Sequence, residues 1–277
     1  MIRLIASDLD GTLLDPAGNL PAGTFPAIEK LYSLGVLFCA ASGRQLTALT
    51  SMFAPVADKI LFMAENGAIL AYRGEILRCV TIPQEDVLRA LDSIAAIPRA
   101  LPLLCTADRA YYEETGGGEF LPLVQASYVS NARRPLREIA REEGVCKIAV
   151  YDELGPENNA MRALPQALPG LRVIQSGGNW LDISVPDANK GDAMRFLRER
   201  FALSREECAA FGDHMNDYEM LLECGHPYVT GNAYPPLKRR IGNAVRSNAE
   251  NGVVRALQHI ADGLLPNGRP MNENTSA

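Results

Sequence analysis

Histidine is scarce in this sequence, three residues in 277, and tryptophan occurs once. His214, His226 and His259 are too scattered to form a ligand pattern for a metal. The six cysteines, at 39, 79, 105, 146, 208 and 224, contain no CxxC pair. Several lie in apolar runs such as VLFCAAS and VCKIAV, as buried reduced thiols do, rather than in a disulfide framework or a zinc site. Positive charge is short as well: 27 Lys and Arg stand against 33 Asp and Glu, a net −6. That balance gives no electrostatic case for a nucleic acid or an anionic membrane as partner. An anionic substrate must then be held by local positive groups. No stretch approaches the roughly 18 uninterrupted apolar residues of a membrane span. The first apolar run, in MIRLIASDLDG, meets carboxylates too soon for a signal-peptide core. The expectation is a cytoplasmic protein. No internal repeat or low-complexity segment is evident.

What is present suits a sizeable core. Apolar residues make up 47% of the chain and charged residues an ordinary 22%. At about 150 residues per domain, the length suggests two domains. Residues 2–7 read as a buried strand ending at Asp8, and 26–34 as a helix stopped by Gly35. Residues 36–41 read as a strand, 46–53 as a helix and 60–64 as a strand. This alternation is the pattern of a parallel sheet wrapped by helices. Residues 69–72 and 76–82 flank Arg73-Gly74 as a hairpin, and 84–97 read as a helix. The stretch from 101 to 185 carries strand-like runs (LPLLCTA, AYYEE, VCKIAVY, LRVIQS, WLDISV) with two or three helices, an inserted α+β domain. Gly116-Gly117-Gly118 marks a turn and lacks the strand-to-helix context of a dinucleotide site. The α/β pattern resumes with helix 189–201, strand 208–211, helix 217–224, a strand at 228–230 and a closing helix 253–264. The polar residues 266–277 read as a disordered tail.

Four fragments carry chemistry. Asp8-Leu9-Asp10-Gly11-Thr12 directly follows a buried strand, where ligands gather in open α/β sheets. Two carboxylates in such a loop can converge, one to attack and one to handle protons; the alternative is a turn with capping aspartates. Ser42-Gly43-Arg44 offers a hydroxyl and free N–H groups at a strand end, suited to phosphate oxygens, or simply a serine cap with a solvated arginine. Lys190 begins a helix, the end of the macrodipole that a cation avoids, and so points to an anion. Gly212-Asp213-His214-Met215-Asn216-Asp217 sets two carboxylates four apart across a loop-to-helix junction. Magnesium takes such oxygen ligands, although capping by Asp213 or Asn216 would also explain them.

Together the fragments resemble, in order and spacing, the haloacid dehalogenase-like phosphatase superfamily. DLDGTL is similar to its first motif, ASGR to the second, the Lys190 segment to the third and GDHMND to the fourth. AENGA (64–68), WLDISVPDANKG (180–191), TGNAYPPLK (230–238) and NAENGV (248–253) resemble the Cof-type branch, which bears a large α+β cap between the second and third motifs. The resemblance implies a Rossmann-like α/β core at 1–82 and 186–265, a cap at 83–185, and a Mg2+-dependent phosphoric monoester hydrolase. It implies Asp8 as nucleophile and Asp10 as acid/base. It places Ser42, Gly43, Arg44, Lys190 and Asn216 at the phosphate. Asp8, the Asp10 carbonyl and Asp213 become metal ligands, with Asp217 as a direct or more distant partner. Asn66 and Asn232 are weaker candidates near the site, His214 a loop residue, Trp180 a contact between cap and core, and Tyr111-Tyr112 half-buried strand. The implied partner is a small phosphorylated metabolite, a sugar phosphate or cofactor phosphate, handled by a monomer or a homodimer. Two rivals stand beside hydrolysis: a sugar phosphomutase or phosphotransferase on the same scaffold, and a catalytically silent regulatory protein. The complete set Asp8, Asp10, Lys190 and Asp213 argues against the silent protein.

Overall fold

The computed structural model describes residues 1–113, 118–266 and 268. In chain order the elements are β1 (Leu4–Asp8), α1 (Thr24–Ser33), β2 (Leu37–Ala41), α2 (Leu46–Met52), β3 (Leu61–Ala64), β4 (Ile69–Tyr72), β5 (Glu75–Cys79), α3 (Gln84–Ala95), β6 (Ala100–Cys105), β7 (Ala110–Tyr112), α4 (Phe120–Ser127), β8 (Asn131–Arg133), α5 (Leu136–Glu142), β9 (Lys147–Asp152), α6 (Ala160–Ala167), β10 (Arg172–Gly177), β11 (Trp180–Ser184), α7 (Lys190–Arg200), β12 (Cys208–Gly212), α8 (Tyr218–Leu222), β13 (His226–Val229), α9 (Pro235–Ile241) and α10 (Gly252–Ala261).

The chain divides into two compact units. The first comprises Met1–Gly43, Met52–Leu77 and the chain from Asn189 onward; the second comprises Arg44–Ser51 and Arg78–Ala188. The chain therefore passes between units after Gly43, Ser51, Leu77 and Ala188. Two of these passages bracket the first turns of α2, which sequence reasoning had left with the α/β part.

The first unit is a seven-stranded sheet in the order β13-β12-β1-β2-β3-β4-β5. Strands β13, β12, β1, β2 and β3 run parallel, and β4 returns antiparallel to β3. β1 and β12 are buried along their whole length, which is why they read as unbroken apolar runs rather than alternating ones. On one face Leu4, Ala6, Cys39 and Ala210 pack with Met194 and Leu197 of α7 and Met220 and Leu221 of α8. Phe53 centres an aromatic cluster, its ring 6.3 Å from those of Phe25, Phe38 and Phe62. The register sets Asp8 level with Ala41, and Ser7 level with Phe211. The residues just beyond three neighbouring strands, at 8–12, 42–43 and 213–217, thus share one end of the sheet.

The second unit is a six-stranded sheet ordered β10-β11-β9-β6-β7-β8, antiparallel except for β7 with β8. Val87, Ala90, Leu91 and Ile94 of α3, Leu136 and Ile139 of α5 and Leu164 of α6 cover one face. Trp180, expected as a contact between cap and core, packs on aromatic rings of this unit. Its ring lies 5.1 Å from Tyr151, 6.1 Å from Tyr128 and 6.2 Å from Phe120, all in this unit. The short polar strand β8 (NAR) carried no apolar signal and escaped the sequence. Cys79 differs from the other cysteines in being exposed; all six are free thiols. The turn expected at 116–118 and the tail expected at 266–277 fall almost wholly outside the described residues. Among the described residues no helix is long and apolar enough to cross a membrane.

Candidate active site

Asp8 ends β1 with its backbone still extended and its side chain buried. Lys190, the first residue of α7, is fully buried and points its ammonium between two carboxylates, 2.5 Å from Asp8 Oδ1 and 2.6 Å from Asp217 Oδ1. Asn189 sets this direction: it caps α7, its Oδ1 accepting from the Asp192 N–H at 2.9 Å. The mismatch between a cation and a helix start is resolved here, because the charge is satisfied across space and not by its own helix. Asp217 is bonded at both oxygens. Its Oδ2 accepts from the backbone N–H groups of Asp213 (3.0 Å) and His214 (3.2 Å), holding the loop after β12 in shape. Asp8 Oδ2 is buried and has no hydrogen-bond partner.

After Asp8 the chain winds through a single wide turn, Leu9–Leu13, closed by the Leu14 N–H to Leu9 carbonyl bond at 2.9 Å. Gly11 makes this turn possible. It takes φ +79, and a β-carbon there would collide with the Asp213 carboxylate, 2.9 Å from its Cγ. The turn therefore presses against Asp213, and the Thr12 hydroxyl donates to Asp213 Oδ1 at 3.1 Å. Thr12 was given no role from the sequence; only its place after Gly11 in DLDGT could have signalled one. Asn232 supports the turn by donating to the Gly11 carbonyl at 2.7 Å, and accepts in turn from the Asn248 N–H at 3.0 Å. The Asn248 side chain donates to the Leu14 carbonyl at 2.9 Å. Asp10 lies in the turn with its side chain exposed.

Ser42 is buried and locked by its backbone: its N–H donates to the Met63 carbonyl at 2.8 Å, and its own carbonyl accepts from the Asn66 N–H at 2.9 Å. Gly67 carries this turn against α7. With φ +98, it lies where a β-carbon would sit 2.6 Å from the Asn189 carbonyl carbon and 2.9 Å from Lys190 N. Asn66 and Gly67 thus bring the end of β3 to the start of the helix that bears Lys190. Asn216 occupies the half-buried turn Met215–Asp217 between the two aspartates. Arg44 belongs to the second unit. His214 is exposed, its ring 5.1 Å from that of Tyr234.

The charges are unbalanced. Asp8, Asp213 and Asp217 each bring a carboxylate oxygen within 4.8 Å of the others, and one ammonium faces them. Burial first, and the Asp217 charge second, push the Asp8 carboxyl up to about 8 against the pull of Lys190. Burial and Asp217 likewise raise Asp213 to about 6. Burial alone would lower Lys190, but Asp217 and Asp8 outweigh it and hold the ammonium above its ordinary value. Three carboxylates beside one ammonium, with an unpartnered oxygen on Asp8, fit a divalent cation held by hard oxygen ligands.

Residues 5–257 match the model of the haloacid dehalogenase-like hydrolases, and the chain belongs to that family, as an enzyme of its phosphatase type. It is 26% identical to the 5-amino-6-(5-phospho-D-ribitylamino)uracil phosphatase YbjI of Escherichia coli, over 94% of this chain and 98% of that protein. It is 29% identical to the HMP-PP phosphatase of Cronobacter sakazakii, over 86% and 87% of the two chains. Among solved structures, TM0651 of Thermotoga maritima aligns with a TM-score of 0.81 at 28% identity, covering 93% of this chain and 97% of its own.

Proposed function

We propose that this chain is a Mg2+-dependent phosphatase of the cytoplasm that hydrolyses a small phosphorylated metabolite through an aspartyl-phosphate on Asp8. The observation that carries the reading is the Asp8 carboxylate: buried at the end of the central strand, one oxygen held by Lys190 and the other without a partner. Asp8 attacks phosphorus, the P–O bond to the leaving group breaks, and Asp10 gives that oxygen its proton. Asp10 then takes a proton from water as the water displaces Asp8 and releases inorganic phosphate. Ser42, Gly43, Arg44, Asn216 and the Lys190 ammonium hold the phosphate oxygens, and Lys190 counters the charge of Asp8. Asp8, the Asp10 carbonyl and Asp213 would hold Mg2+, which supplies the positive charge that lets a carboxylate meet an anionic phosphate. Asp217, already bonded at both oxygens, orients Lys190 and the loop.

The second unit is a cap that selects the leaving group, since Asp8, Asp10, Ser42, Lys190 and Asp213 all lie in the first. The relatives' names put uracil-type and HMP-PP-type phosphates in the substrate panel beside sugar phosphates and other cofactor phosphates. Replacement of Asp8 by Asn preserves shape and removes the nucleophile. We expect D8N to lower turnover of every panel member by roughly ten-thousandfold or more, with the thermal midpoint close to wild type. Turnover near wild type in D8N, free of contaminating phosphatase, would exclude Asp8 as nucleophile.

A further inference from the structure

After β3 the chain turns through three consecutive residues in the left-handed region: Glu65 at φ +49, Asn66 at φ +55 and Gly67 at φ +98. Glycine takes that conformation freely and asparagine with little difficulty, but a glutamate there is strained. Such strain persists only where the surroundings over-determine it, and it gathers at functional sites. The surroundings here belong to the first unit alone. The Asn66 N–H donates to the Ser42 carbonyl at 2.9 Å, and Gly67 lies flush against the Asn189 carbonyl and Lys190 N.

The turn sets the Asn66 side chain over Gly43. A β-carbon on Gly43 would stand 3.0 Å from Asn66 Nδ2 and 3.2 Å from its Oδ1, so any larger residue at 43 would press on the amide. The side chain is half-buried, and its amide makes no hydrogen bond among the described residues. The backbone of Asn66 is therefore spent on the fold and its amide is not. A primary amide brings two N–H donors. They are held beside Ser42 and Gly43, at the same end of the sheet as Asp8, and N–H donors bond an anionic oxygen more strongly than a neutral one.

We infer that Asn66 is a further binding residue, whose Nδ2 donates to a non-bridging oxygen of the phosphate seated on Ser42 and Gly43. This rests on the proposed phosphatase reading, which seats the phosphate there. The left-handed turn serves to aim the amide. The contact is made to the transferred group and not to the alcohol, so inorganic phosphate and every phosphate monoester share it.

Asn66→Gly is the discriminating variant. Glycine adopts the left-handed conformation at least as readily as asparagine, so N66G would be silent if Asn66 served the turn alone. Asn66→Asp keeps the size of the side chain but replaces a donor with negative charge. Calorimetric titration of the Mg2+-loaded enzyme with inorganic phosphate reads binding directly, beside KM and kcat for the ester panel and the thermal midpoint. N66G should weaken phosphate binding by roughly tenfold and raise KM by a similar factor for every ester, with the midpoint close to wild type. N66D should weaken binding further, and it carries the test if N66G does not fold. Wild-type phosphate affinity in either folded variant, or a rise in KM confined to some esters, overturns the inference. The titration needs no turnover, and D8N separates the two ideas. An inactive D8N beside an unaffected N66G removes only the role of Asn66. An active D8N removes the nucleophile, and the phosphate titration still decides on Asn66.

Discussion

The carboxylates of the site are kept close together at a cost in electrostatic repulsion, and that cost depends on pH. Asp8 rises from 3.8 to about 8 and Asp213 from 3.8 to about 6. A carboxyl whose folded pKa lies above its unfolded one binds its proton more tightly when folded. Its contribution to stability is intact at low pH and is lost as pH rises through the folded value. The metal-free protein should therefore lose stability between about pH 4 and pH 8 on account of these two groups. A divalent cation neutralises the ionised pair and should restore what was lost. The expected result is a gain in thermal midpoint on adding Mg2+ that is small at pH 5 and clearly larger at pH 7.5, with Ca2+ the weaker stabiliser. An equal gain at both pH values would mean that the cation does not bind to these carboxylates. The same chemistry shows why Lys190 is buried: beside Asp8 and Asp217 its charge is matched at 2.5 and 2.6 Å, whereas removing one partner of a buried pair costs roughly 3–5 kcal/mol.

Helix α7 is aimed by its cap. Asn189 bonds Asp192 twice, Oδ1 accepting from its N–H at 2.9 Å and Nδ2 donating to its carboxylate at 2.6 Å. Asn189→Ala should cost about 1 kcal/mol, which in a chain of this size lowers the midpoint by roughly 2–4 °C. Because Lys190 is the next residue, kcat/KM should also fall, by one factor for all substrates. A lower midpoint with unchanged kcat/KM would show that the cap stabilises α7 without aiming the lysine. This arrangement was partly legible in the sequence. The buried strands announced themselves as apolar runs stopped by Asp8, Ser42 and Gly212, and the start of α7 stood out because a lysine occupied it. The pairing of Lys190 with Asp8, 182 residues away, and Asp217, 27 residues away, carries no local pattern and had to come from the fold. β8 was hidden because an edge strand of Asn, Ala and Arg lacks both apolar alternation and burial. The two bonds of the Gln45 amide to the backbone of Ser130, 85 residues away, leave no trace in periodicity.

For the whole molecule, the proposed division of labour between the units decides which residues can report on substrate choice. Tyr111 is unsuited: it lies in the helix-covered core of the second unit, and its hydroxyl donates to Glu143 Oε1 at 2.7 Å. Arg133, exposed on β8, and Trp180, in the aromatic cluster on the sheet, are better probes. Arg133→Ala and Trp180→Leu should reorder the phosphate esters of the panel by several-fold while leaving the Mg2+ concentration for half-maximal activity unchanged. If both variants depress all esters by a common factor, the second unit does not read the leaving group.

The four passages of the chain between the units also constrain how such enzymes can be recombined. A graft that exchanges only the long insert, Arg78–Ala188, would bring in a foreign sheet edge at the position of Ser130 while keeping the resident Gln45. The eight residues Arg44–Ser51 would then face a surface they were not matched to. A chimera with altered substrate preference should be built from two segments transplanted together, the insert and the octapeptide. In this architecture, the exchangeable module is discontinuous in the gene, and the shorter of its two pieces begins directly after Gly43.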